Sequence, residues 1–135
     1  MSSIFTKIIN KEIPANIIAE NDEFLAFLDI APLADGHTLV IPKVEVDYIF
    51  DLEDRKLGDL HVFAKQVAKA IEKVVPCQRM AVSVIGIEVP HAHVHLIPLN
   101  TMDDVNFSRP KLQRSREQLI EVAEKIREAY TSINQ

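Results

Sequence analysis

The stretch His91-Ala92-His93-Val94-His95-Leu96-Ile97-Pro98 decides most of what this chain can be. On an extended strand, successive side chains point to opposite faces. Read that way, His91, His93 and His95 share one face, and Ala92, Val94 and Leu96 share the other. The second set is small and apolar, which suits a core. The first set is a row of imidazoles spaced by about 6.5–7 Å. Three of the chain's 5 histidines therefore fall in this one segment.

Such a row admits three readings. A solvated face carrying histidines by chance fits poorly with strict alternation between apolar residues. His-x-His on a strand is a common metal-ligand pair, but it needs further ligands. The only cysteine is Cys77, and Leu96-Ile97-Pro98-Leu99-Asn100 offers no carboxylate. The third reading is nucleophilic catalysis by imidazole. Near neutral pH much of a histidine is unprotonated, so it attacks phosphorus well. It needs its second ring nitrogen held by an acceptor, and neighbours that hydrogen-bond phosphate oxygens.

The fold follows by working outward from this strand. Met80 to Ile85 reads as a strand, followed by a loop or bend from Gly86 to Pro90. Thr38 to Ile41 is a β-branched strand stopped by Pro42, and Pro98 stops the histidine strand, which spans Ala92 to Ile97. Ile17–Glu20 and Phe24–Leu28 are short strands around the turn Asn21-Asp22. Ile4 to Asn10 reads as a short helical turn, and Asp29 to Asp35 as a loop. Asp51 is the expected N-cap of a long helix, with Asp54 near the positive end of its dipole. Leu57, Leu60, Phe63, Ala64, Val67, Ile71 and Val74 recur at helical spacing until Pro76. Asn100 to Leu112 looks irregular, with Asp103-Asp104 read as a solvated pair. A last helix from about Arg114 gathers Leu119, Val122, Ala123, Ile126, Ala129 and Tyr130 on one face. The expected class is α+β: an antiparallel sheet of about five strands, one long central helix and a C-terminal helix.

Composition bounds the rest. The 135 residues carry a formal net charge of −5, with 47% hydrophobic and 26% charged residues. That suits one domain, 1–135, with its own core. The acidic balance argues against a partner that is a nucleic-acid polymer. One cysteine forms no internal disulfide and no zinc cluster. No apolar run approaches the roughly 20 residues of a membrane span. The opening MSSIFTKIINKEI carries charges where a signal peptide needs an apolar run, so a cytoplasmic location is expected.

The pattern His-φ-His-φ-His-φ-φ at 91–97 resembles that of the histidine triad (HIT) family. The resemblance continues upstream: Ile4-Phe5-Thr6-Lys7-Ile8-Ile9 with Glu12-Ile13-Pro14-Ala15, then Phe24 to Pro32, then Gly36 to Lys43. These segments cover residues 1–100 in family order, and 101–135 form an extension. The nearest branch looks like the HINT-like nucleoside phosphoramidases, with the diadenosine-polyphosphate hydrolases as runner-up. A nucleotide-binding or interaction protein with weak catalysis is the third expectation.

The resemblance implies two steps. His93 attacks the α-phosphorus of a nucleoside phosphoramidate or related conjugate, and water then releases the monophosphate. By the same analogy the His91 carbonyl orients His93, His95 contacts phosphate and leaving group, and His37 completes the cluster. Asp29 matches the ribose-binding position. Phe5, Phe27, Ile30, Ile4 and Ile8 match the apolar slot for a purine base, and Ser83 a pocket asparagine. No cofactor is implied, and a homodimer is. His61 has no assigned role.

The departures from the pattern are specific. Many bacterial relatives carry Cys-x-x-Cys at the start and a histidine after Ile-Pro-Lys, which bind zinc with a triad histidine. Here those positions hold Ser3, Thr6 and Glu45, so no structural metal is expected. The loop before the triad is short and apolar. Ile87 stands where a glutamine normally helps hold phosphate, and Glu88 follows as either a donor to the leaving group or a repulsive charge.

Overall fold

The computed structural model describes residues 2–134. Five strands form one antiparallel sheet in the order β1-β2-β3-β5-β4: β1 Ile17–Glu20, β2 Phe24–Leu28, β3 Thr38–Pro42, β4 Arg79–Ser83 and β5 Val94–Leu99. Three α-helices accompany them: α1 Ile4–Ile9, α2 Asp54–Val74 and α3 Arg116–Ile133. This is the expected α+β architecture.

Alternation along the strands divides the core in two. Val40 of β3 and Val94 and Leu96 of β5 face α2, where Leu60, Phe63, Val67 and Ile71 meet them; Ala123 and Ile126 of α3 join the same cluster. Leu25, Phe27, Leu39 and Ile41 face the other way and gather Phe5 and Ile8 of α1. His95 lies opposite Leu39 across the β3–β5 ladder, so it belongs to the α1 face. Burying each large aliphatic side chain contributes roughly 1.5–3 kcal/mol. The sheet is thus fixed from both sides, and the histidines sit on its less covered face.

Several local expectations change. Asp51 is not the cap of α2. It ends a 3-10 turn, Ile49–Asp51, and Glu53 is the capping residue, without a side-chain bond. Ile49 and Leu52 are buried there and pull the chain inward before the helix begins. Asp54 does occupy the first turn. β4 ends at Ser83 rather than Ile85. β5 begins at Val94, after His91 and His93, and runs through Pro98. Pro98 lies past the last β3 pairing, Thr38↔Leu96, so its missing N–H costs nothing on that side. The acidic pair is not merely solvated. Asp104 closes a capping box on the 3-10 turn Met102–Val105 and accepts from the Asn100 and Thr101 N–H groups. Ser115 and Gln118 form a reciprocal capping box that starts α3. No helix among the described residues is long and apolar enough to cross a membrane.

Candidate active site

The site grows from the N-terminal helix and the triad segment together. Ser3 caps α1, its Oγ accepting the Thr6 N–H at 3.0 Å, and donates to His91 Nδ1 at 2.8 Å. The Ser3 N–H and the Thr6 hydroxyl both donate to Glu45 Oε1 at 2.6 Å. Those two bonds hold the Glu45 carboxyl down at about 2. His91 Nε2 donates to the Pro42 carbonyl at 2.8 Å. A carbonyl only accepts, so the His91 proton sits on Nε2 and Nδ1 receives the serine. His91 is fully buried, and burial holds its proton affinity down. Ser3, Thr6 and Glu45 thus converge on one histidine as a hydrogen-bonded network.

His91 positions the next histidine through its backbone. Its carbonyl oxygen accepts from His93 Nδ1 at 2.8 Å. The ring proton of His93 is therefore on Nδ1, and Nε2 keeps its lone pair. The Phe5 ring lies edge-on to His93, with centroids 5.0 Å apart, and packs on Phe27 at 5.5 Å. Phe5 neighbours both His91 and His93, and the His95 ring lies beside that of His93, although the strand itself begins only at Val94.

His37 and His95 form a second chain. Gly36 precedes His37 with φ +89, a conformation that favours glycine, and turns the chain into β3. The Leu33 N–H donates to His37 Nδ1 at 3.0 Å. That leaves the His37 proton on Nε2, which donates to His95 Nδ1 at 2.9 Å. His95 in turn carries its proton on Nε2, as a donor beside His93, whose ring centroid is 5.0 Å away. Burial first, and then the neighbouring His95, push His37 down to about 3. Burial and His93 push His95 down to about 4. Both rings are neutral at pH 7.

Asp29 Oδ2 lies 3.7 Å from His37 Nε2. At that distance an ion pair would form with an imidazolium, but the ring is neutral and none exists. Burial raises the Asp29 carboxyl, while its Oδ1 accepts the Ala31 N–H at 2.9 Å. Asp29, His37 and His95 are close enough together to resemble a metal trio. The Leu33 N–H argues against that use. It occupies Nδ1 of His37, so Nε2 keeps its proton and acts as a donor rather than a ligand.

The remaining residues singled out from the sequence are spread around this centre. Phe5, Phe27 and Ile8 are buried behind the triad, whereas Ile4 and Ile30 are exposed on the surface. Ser83 ends β4 directly opposite His95. Ile87 is 86% exposed, and Glu88 beside it is exposed as well. His61 is exposed on α2 and donates to the Leu57 carbonyl. Sequence reasoning missed Phe107. Its ring lies 4.9 Å from that of His95 and 6.3 Å from that of His37, covering the end of the cluster. The signal was a lone aromatic in a polar, irregular segment, which tends to find a buried partner.

Comparison with known proteins agrees with this geometry. Residues 10–102 match the family model of the HIT domain. The chain is 41% identical over 100 residues to an adenosine 5'-monophosphoramidase of Schizosaccharomyces pombe, covering 73% of this chain and 74% of that one. It is 36% identical over 113 residues to a HIT-like protein of Borreliella burgdorferi, covering 78% and 81%. Among solved structures, a hypothetical histidine triad nucleotide-binding protein from Sulfolobus tokodaii superposes with TM-score 0.85 at 28% identity, covering 96% and 93%. The chain therefore belongs to the HIT domain family and is one of its hydrolases.

Proposed function

We propose that the protein hydrolyses nucleoside phosphoramidates or related conjugates of AMP through a nucleotidyl-histidine intermediate on His93. The observation that carries this reading is the His93 Nδ1–His91 carbonyl bond of 2.8 Å, which leaves Nε2 free to attack. A phosphoramidate nitrogen protonated by solvent leaves as a neutral amine. The P–N bond to it breaks as the bond from His93 Nε2 to phosphorus forms. Water then attacks the phosphorus, the imidazole recovers its electron pair, and the proton of the water passes to solvent. His95 Nε2–H is the donor to a phosphate oxygen, and His37 holds it in that tautomer.

In this reading Asp29 accepts from the ribose hydroxyls, and a carboxylate that accepts twice suits a diol. Phe5, Phe27 and Ile8, with the exposed Ile4 and Ile30, form the base slot. Aliphatic and aromatic walls grip a planar base by its faces. Ser83 and the backbone of Ile87 and Glu88 meet the phosphate. The relative named as an adenosine 5'-monophosphoramidase supports the substrate class.

We also assign the protein to the cytoplasm, and we infer a homodimer built across the open edge of the sheet. Val82 on the edge strand β4 and Val62 on α2 are 60% and 57% exposed, which supports that interface. Sedimentation of a monomer at micromolar concentration would refute the dimer. The activity is tested by incubating the protein with adenosine 5'-phosphoramidate and measuring AMP release. His93→Ala abolishes it, and an adduct of AMP mass appears on the wild type by acid-quenched mass spectrometry. Undiminished turnover by the variant would overturn the proposal.

A further inference from the structure

The extension after the triad returns over the site. Leu112 N–H donates to the Pro32 carbonyl at 2.8 Å, and Arg114 binds Asp35 at 2.7 Å. Arg109 donates to the Leu33 carbonyl and pairs with Asp103 and Asp104 at 3.2 and 3.3 Å. The segment from 103 to 114 is thereby laced to the loop that enters His37. Phe107 is the side chain it lays on His95 and His37. Lys111 stands above that ring, its Nζ 5.7 Å from the Phe107 centroid and 2.7 Å from the Phe107 carbonyl it donates to. A lysine has three N–H donors, so two remain to be offered outward.

The Lys111 charge bears on Asp29, His37 and His95 alike. Glu88 bears on Asp29 as well. The His95 end therefore feels the Lys111 cation, with the Asp29 carboxylate within 4.8 Å of the His37 and His95 ring nitrogens. His37 and His95 are both kept neutral by burial, so neither ring supplies a cation there, and Lys111 of the extension does.

We propose that Phe107 and Lys111 form a leaving-group subsite beside His95 that selects nucleotide conjugates whose leaving group carries a negative charge. The inference rests on the hydrolase reading above, in which His95 lies on the leaving-group side of His93. Phe107 shields the departing group from water, and the Lys111 ammonium, on a flexible stem, meets its anionic tail. Ile87 offers no side-chain hydrogen bond in the loop before the triad, which leaves Lys111 as the added contact.

The test uses two substrates matched except for charge: the AMP phosphoramidates of glycine, with a carboxylate, and of glycinamide, without one. Wild type is expected to favour the glycine conjugate by about fivefold in kcat/KM, the size of one partly exposed charge pair. Lys111→Ala removes that preference, lowering the glycine conjugate more than the glycinamide one; Lys111→Glu reverses it. Lys111 is exposed, and an unchanged urea midpoint confirms that the variants fold. Equal effects on both substrates, no effect on either, or a wild-type preference for glycinamide would overturn the subsite while leaving the hydrolase intact. Failure of wild type to cleave either conjugate or adenosine 5'-phosphoramidate would instead overturn the hydrolase reading.

Discussion

Ser3→Ala isolates the link between the N-terminal helix and the triad. The change removes two bonds made by one oxygen: the cap on Thr6 N–H at 3.0 Å and the donor to His91 Nδ1 at 2.8 Å. Losing a serine N-cap costs about 1 kcal/mol. Leaving a buried acceptor unpaired costs a further ~1–3 kcal/mol. His91 is 0% exposed, so water does not replace the serine. Thr6 Oγ1 is the nearest substitute at 3.4 Å, but its proton is already given to Glu45 at 2.6 Å. The expected loss is about 2–4 kcal/mol, read as a lower urea midpoint at pH 7 with an unchanged slope. Because the His91 carbonyl holds His93, kcat falls several-fold while KM stays within twofold. A loss under about 0.5 kcal/mol, the level of an ordinary surface change, would refute the reasoning.

Three other outcomes are expected. Gly36→Ala places a Cβ 2.9 Å from Val75 Cγ2 at a φ of +89; the strain costs at least ~1–3 kcal/mol by thermal melt and lowers activity by shifting His37. Acid destabilises the fold. The folded-state proton affinities of His37 and His95 are depressed to about 3 and about 4, so the unfolded chain binds more protons below pH ~6.5. Their contribution is present above that pH and is lost as pH falls toward 4; a urea midpoint equal at pH 7 and pH 4.5 would contradict it. The triple variant Ser3→Cys, Thr6→Cys, Glu45→His gains about one zinc per chain by metal analysis, because its side chains converge on His91 Nδ1, whose lone pair faces them while Nε2 is tied to Pro42. Zinc content no higher than wild type would show that the convergence is not a ligand geometry.

The residues legible from sequence were those governed by a period. Strand alternation separated Val94 and Leu96 from His95, and helical spacing found the buried stripe of α2 from Leu60 to Ile71. The cap of α2 was misplaced because Asp51 satisfies the local rule. Burial of Ile49 and Leu52 moved the helix start, and no local rule contains that tertiary pull. Of the site, the triad and Asp29 were visible as motif positions. The tautomers were not. They depend on Leu33 N–H meeting His37 and on Pro42 C=O meeting His91, contacts made by backbone groups of any residue type. Phe107, Lys111 and Arg109 were hidden for a related reason: a segment without period carries its information in where it lands.

The wiring also bears on how an acidic chain of net charge −5 handles a phosphate. A cluster of imidazolium groups would attract the anion, but each protonated ring would lose the lone pair that makes it useful. Here every ring proton is assigned by a fixed partner: His91 to Pro42, His93 to the His91 carbonyl, His37 to His95. Burial keeps His37 and His95 neutral. The cluster therefore offers one lone pair, on His93 Nε2, and one aimed N–H, on His95 Nε2. Preorganised dipoles of this kind need no rearrangement as charge shifts in the reaction. Charge, where the site needs it, is supplied from outside the triad by Lys111, an exposed lysine of the extension. Nucleophilicity and anion selection then reside on separate segments, so a change at Lys111 alters which leaving group is accepted without altering the proton on His93.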